Sequence, residues 1–168
     1  MTITIYPIDT TQYGINTSKR VGIVESPDDA VNMSSVKIVR THEQLDHRLY
    51  TRLLTLAPEG QAMYEYDYLI IVYNLDTFFS DALVAEAIIA HELGHLEHTA
   101  EYLSRPDGHL QAELEADAHA ASQGYALPLQ QFLINTRQQL INNIGAKPAS
   151  LVVIDTRINQ LEKAIKGE

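Results

Sequence analysis

His91-Glu92-Leu93-Gly94-His95 closes the stretch Ala82-Leu83-Val84-Ala85-Glu86-Ala87-Ile88-Ile89-Ala90, which is apolar on nearly every side apart from Glu86. A helix of that composition is covered on all faces and lies at the centre of its domain. Residues four apart on a helix stand one above the other, so the imidazoles of His91 and His95 can approach one metal ion. Zinc accepts imidazole nitrogen at about 2.0–2.1 Å, within reach of such a pair. Glu92 projects beside that position, where it can take a proton from an attacking water. Gly94 weakens a helix by roughly 1 kcal/mol relative to alanine, and its placement predicts that something passes close to the backbone. Spacing carries the argument. His42-Glu43-Gln44-Leu45-Asp46-His47 has the same residue types in a segment one position too long. Histidines five apart stand roughly 140° around a helix and cannot share an ion.

A catalytic zinc takes three protein ligands and keeps a fourth position for water. Glu113-Leu114-Glu115-Ala116-Asp117 follows downstream, after the break at Pro106-Asp107-Gly108 lets the chain reverse. Glu113 and Asp117 are four apart and share a face. The natural division of labour puts Glu113 on the metal and Asp117 behind it, accepting the free N–H of a ligating histidine and fixing its tautomer. Ala116, Ala118, Ala120 and Ala121 are small enough for this helix to pack closely on the first. Glu115 lies two residues from both carboxylates and faces away. Glu101 stands where a metzincin has its third ligand, but that arrangement needs glycine at the position of His98. His98, three residues past His95, is expected to be partly exposed and inert, with a place near the metal as the alternative. His109, His119 and Tyr125 read as surface or packing residues, with His119 and Tyr125 as alternative donors to a developing oxyanion.

Upstream, the chain is β-rich. Thr2-Ile3-Thr4-Ile5 alternates with period two, residues 21–24 and 36–39 are strand-like, and Ser26-Pro27-Asp28-Asp29 supplies turn material. Thr41 and Gln44 form a capping box before Leu45, Leu49 and Leu53 at helical spacing, and Pro58-Glu59-Gly60 ends that helix. Tyr68-Leu69-Ile70-Ile71-Val72-Tyr73 predicts a buried strand, whose edge is expected to receive substrate by strand addition. Helical pattern then runs over residues 79–102 and 109–123. A third helix starts near Pro128 with the stripe Leu129, Phe132, Leu133, Leu140 and Ile144, and stops at Gly145. A last one carries Ile154, Ile158, Leu161 and Ile165. The expected fold class is α+β and zincin-like. It is a single domain over residues 1–168, with a β-rich lobe at 1–75 and a helical lobe carrying the zinc site at 76–168.

At 168 residues, with 45% hydrophobic and 20% charged residues, the chain can bury a core. It has no cysteine, so neither disulfides nor thiolates hold it together. A net charge of −10, from 22 acidic and 12 basic residues, disfavours nucleic acid and anionic membranes as partners. Neither an apolar run of membrane-spanning length nor a secretory signal is legible, and the expected location is the cytoplasm. Serine-hydrolase and P-loop motifs do not occur.

The approach Ala87-Ile88-Ile89-Ala90-His91-Glu92-Leu93-Gly94-His95, followed by Glu113-Leu114-Glu115-Ala116-Asp117-Ala118-His119-Ala120, resembles the gluzincin metallopeptidases. It is similar to the HtpX/Oma-type catalytic core and to the ImmA-type soluble peptidases over residues 82–124, about a quarter of the chain. HtpX-type enzymes carry membrane helices, which this sequence does not, and no repressor-binding region of the ImmA kind is identifiable. The resemblance implies one zinc per chain on His91, His95 and Glu113, Glu92 as general base and Asp117 behind the ligands. It implies hydrolysis of a peptide or protein substrate. The rival reading is a zinc-stabilised binding or regulatory module without turnover.

Overall fold

Val21, Ile23, Val24, Leu69, Ile70, Ile71 and Val72 are all buried, and β-branched runs of this kind belong in central strands. The computed structural model describes residues 4–26, 36–41, 65–142 and 148–167. Among these are a four-stranded mixed sheet and six helices, an α+β architecture. The chain forms two compact units, residues 1–81 and 82–168.

In the first unit the strands are β1 (Tyr6–Ile8), β2 (Val21–Glu25), β3 (Lys37–Arg40) and β4 (Tyr68–Val72), in the order β1-β2-β4-β3. β2 runs parallel to β4, with Ile23 opposite Ile70, and the two outer pairings are antiparallel. β4 is therefore an inner strand. Its N–H and C=O groups are committed on both sides, so the expectation that its edge receives substrate is wrong. Of the alternation at residues 2–5, residues 2 and 3 lie outside the described residues, and residues 4 and 5 precede the first strand, which starts at Tyr6. A one-turn helix α1 (Leu75–Phe78) follows β4, capped by Asn74, whose side chain accepts from the Thr77 N–H at 2.9 Å. The helix expected after Thr41, the His42/His47 pair within it, and the turns at residues 27–29 and 58–60 lie outside the described residues.

The second unit is helical: α2 (Ala82–Leu93), α3 (Ala100–Leu103), α4 (Gly108–Ser122), α5 (Ala126–Asn142) and α6 (Pro148–Lys166). The expected stop at Gly145 lies outside the described residues. From Ala85 onwards α2 is buried at every residue except Glu86, as its composition demands. Ala112, Ala116 and Ala120, one turn apart on α4, are buried as well, and α4 packs on α2 along these small side chains. α2 is shorter than the sequence pattern suggests. It ends at Leu93, and the chain continues through tighter turns in which the N–H groups of His95, Leu96 and His98 bond to carbonyls three residues back. Gly94 stands at the change. A Cβ there would lie 2.8 Å from the Ala116 Cα and 3.0 Å from the His91 carbonyl oxygen, so the close approach anticipated at Gly94 is that of α4. Gly108 opens α4 under a similar constraint, with a Cβ position only 2.5 Å from the Tyr102 carbonyl oxygen.

Candidate metal centre

The last turn of α2 carries His91 and Glu92, both buried, and the tightened turn after it carries His95. Their imidazoles meet edge-to-face with ring centroids 4.8 Å apart. His91 Nε2 and His95 Nε2 stand 3.2 Å from each other. From α4, the Glu113 carboxylate completes the group, with Oε1 at 3.1 Å from His95 Nε2 and Oε2 at 3.4 Å from His91 Nε2. Four ligands placed tetrahedrally at zinc–nitrogen distance are about 3.3 Å apart. The observed separations are of that size, with one Glu113 oxygen facing each histidine, and His91, His95 and Glu113 could hold a metal ion.

Protons are assigned by the neighbours. His91 Nδ1 lies 2.7 Å from Asp117 Oδ1, and Asp117 is fully buried. In the neutral ring a carboxylate there keeps the proton on Nδ1, so that Nε2 is the nitrogen that can offer a lone pair toward Glu113 and His95. Asp117 is held in turn by Arg157 from α6, whose Nε and Nη2 donate to Oδ2 and Oδ1 at 2.7 and 2.9 Å. The third nitrogen, Nη1, reaches Glu113 Oε2 at 3.1 Å. One guanidinium therefore fixes both the carboxylate that faces the histidines and the carboxylate behind them.

Compared with known proteins, the chain matches no family model, no curated protein and no solved structure.

Electrostatics follow the same geometry. Burial alone would lower the His91 pKa, but hydrogen bonds to Asp117 and Glu113, with the nearby charge of Glu92, push it up to about 10. Burial would raise the Glu113 carboxyl, and hydrogen bonds from His91 and His95, aided by the Arg157 charge, instead hold it well below the usual range. Asp117 behaves alike: desolvation is overcome by Arg157 and His91, and its pKa is lowered. Burial opposes the charge on Arg157, which the two carboxylates keep in place.

The remaining sequence candidates separate cleanly. Glu115 points away from the metal position and accepts from His98 Nε2 at 2.8 Å and from the Tyr102 hydroxyl at 2.7 Å. His98 is buried rather than partly exposed, because this pairing and its contact with His95 Nδ1 at 3.0 Å satisfy both ring nitrogens. Tyr125 donates to Glu86 at 3.3 Å. Glu101, His109, His119 and Tyr125 do not join the metal-competent group found among the described residues. Arg157 was not anticipated. Its signal in the sequence is a charge placed between Ile154 and Leu161 on a helix face that is otherwise apolar.

Proposed function

We propose that the chain is a zinc-dependent endopeptidase of the gluzincin type, with one zinc held by His91, His95 and Glu113 and with Glu92 as general base. The observation that carries this reading is the convergence of two imidazole nitrogens and the Glu113 carboxylate into a group that could hold a metal ion, next to a buried carboxylate that is not itself a member of the group. Three ligands leave a coordination position open, which suits catalysis better than a purely structural site. When bound, zinc supplies Lewis-acid polarisation of the scissile carbonyl and stabilises the charge that develops on its oxygen.

The chain's own residues do the rest. Glu92 accepts a proton from the attacking water and passes it to the departing amine. Asp117 keeps the proton of His91 on Nδ1, and Arg157 keeps Asp117 and Glu113 in register across α4 and α6. A zinc site that merely staples α2 to α4 would use the same ligands but would need no buried carboxylate at Glu92. No helix among the described residues is long and apolar enough to cross a membrane, in line with a chain that acts on peptides in water.

The test is zinc content together with casein cleavage, for wild type and Glu92→Gln. One zinc in each and cleavage by wild type alone is the expected result. Zinc in both with no cleavage by either favours the staple, and no zinc in either overturns the metal centre.

A further inference from the structure

Two lines of hydrogen bonds lead away from the histidine pair, and only the one through Asp117 has been given a role. The other starts at His95. Its Nε2 is turned toward His91 and Glu113, at 3.2 and 3.1 Å, and must offer a lone pair there if it is to bind a metal. Its proton therefore sits on Nδ1, which lies 3.0 Å from His98 Nδ1. Two ring nitrogens at that distance need one proton between them, so His98 Nδ1 is the acceptor. A neutral His98 then carries its own proton on Nε2 and donates it to Glu115 Oε2 at 2.8 Å. Glu115 Oε1 accepts from the Tyr102 hydroxyl at 2.7 Å. A single arrangement of protons satisfies the whole line, and it is the arrangement that leaves His95 Nε2 free to ligate.

Packing fixes the members. The His98 side chain is 5% exposed while that of Glu115 is 56% exposed, so the line runs from the interior to the surface. Tyr102 lies against the His98 ring with centroids 4.9 Å apart, and Thr99 caps the short helix that carries it by accepting from the Tyr102 N–H. The two ligating histidines are thus supported differently. A buried carboxylate locked by arginine backs His91, whereas a neutral imidazole that passes on the pull of a surface carboxylate backs His95.

We propose that His98 and Glu115 are positioning residues for the metal. They hold the His95 imidazole with Nε2 toward the ion and strengthen it as a donor through the Nδ1–H···Nδ1 bond. The proposal rests on the metal centre described under Proposed function and deepens it. Outer partners of this kind are worth about 10–100-fold in metal affinity.

The test compares zinc dissociation constants of the full chain, by chelator competition, for wild type, His98→Phe, His98→Asn and Glu115→Gln. The proton NMR signal of the zinc-loaded His95 Nδ1–H is followed alongside. His98→Phe removes the acceptor but keeps a ring, and weakens zinc about tenfold or more while the Nδ1–H signal is lost to solvent exchange. Asn places its Oδ1 close to where Nδ1 stood and restores part of the affinity and the signal. Glu115→Gln, at a largely exposed position, weakens zinc by about threefold or more. If His98→Phe fails to fold, as judged by circular dichroism, the Glu115→Gln value alone decides. A folded His98→Phe with wild-type affinity and an intact signal overturns the proposal, as does Glu115→Gln below that threshold when it alone decides. Either result leaves the metal centre standing. A wild-type chain that takes up no zinc overturns the metal centre itself.

Discussion

Replacing Arg157 with methionine, of similar length and no charge, strands Asp117. That carboxylate is fully buried, and Arg157 supplies two of its hydrogen bonds, at 2.7 and 2.9 Å. Breaking a buried pair by removing one partner costs about 3–5 kcal/mol, because an uncompensated charge is left inside. In a domain of this size each kcal/mol moves the melting temperature by about 2–4 °C, so the expected drop is about 6 °C or more. Arg137 is the control. Its Nε lies 2.6 Å from Asp155, as short as any contact of Arg157, but the two side chains are 38% and 46% exposed. Surface pairs are worth about 0–1 kcal/mol, so Arg137→Met should shift melting by no more than about 4 °C. Distance does not separate the two arginines; solvent does. Melting followed by circular dichroism in excess chelator, so that metal does not mask the difference, is the assay. The double variant Arg157→Met/Asp117→Asn closes the cycle and should be less destabilised than the sum of its parts by about 2 kcal/mol. Additive single changes, or an Arg157→Met chain that melts with Arg137→Met, would refute the coupling of α4 and α6 through this pair.

Three further outcomes follow from the same geometry. Gly94→Ala drives a methyl group against the Ala116 Cα, a backbone atom that cannot swing aside; α4 must retreat, at about 1–3 kcal/mol, and zinc affinity should fall with it, which thermal melts and a zinc titration will read. Saturating zinc at about 100 times its dissociation constant should stabilise the chain by about 2.7 kcal/mol, a rise lost on adding chelator and absent in His91→Ala; equal melting with and without zinc would count against binding. For the metal-free chain the sign of the pH dependence is fixed by three groups. The stability from the raised His91 pKa is complete below its ordinary 6.5 and is lost as pH climbs through about 10. That from the lowered Glu113 and Asp117 is complete above their ordinary values of 4.5 and 3.8 and is lost toward strong acid. Urea midpoints in chelator should therefore be higher at pH 6 than at pH 9, and the reverse order would contradict the assignment.

The site was legible where chemistry is written as spacing. His91 and His95 are four apart, Glu113 and Asp117 are four apart, and a reversal at Gly108 lies between the pairs, so local geometry alone brings each pair onto a face. Arg157 was not legible, since it comes forty residues after Asp117 on a different helix. Its mark is weak, a charge within the face of Ile154 and Leu161. The burial of His98 was misjudged for a related reason. Exposure cannot be read from a position three residues past a ligand when the helix has already given way to a tightened turn. The same limit explains β4: its composition gives burial correctly, but which strands flank it is decided by pairing with β2 and β3, far away in sequence.

Charge explains why these residues belong together at all. Glu92, Glu113 and Asp117 carry three negative charges near the histidine pair, and Arg157 supplies one positive charge, so neutral imidazoles leave two negative charges unbalanced. Burying unbalanced charge costs several kcal/mol per ion, and packing offers no return on it. The raised pKa of His91 is the chain's partial remedy, since a proton there answers one of the two. A divalent cation answers both, and it does so at the point where two imidazole lone pairs and a carboxylate already converge. Arg157 does not stand in its place: its guanidinium is held on Glu113 Oε2 and on Asp117, while Glu113 Oε1 faces His95 Nε2 and the two Nε2 atoms face each other. That point, with His91, His95 and Glu113 around it, is therefore one that a metal ion could occupy.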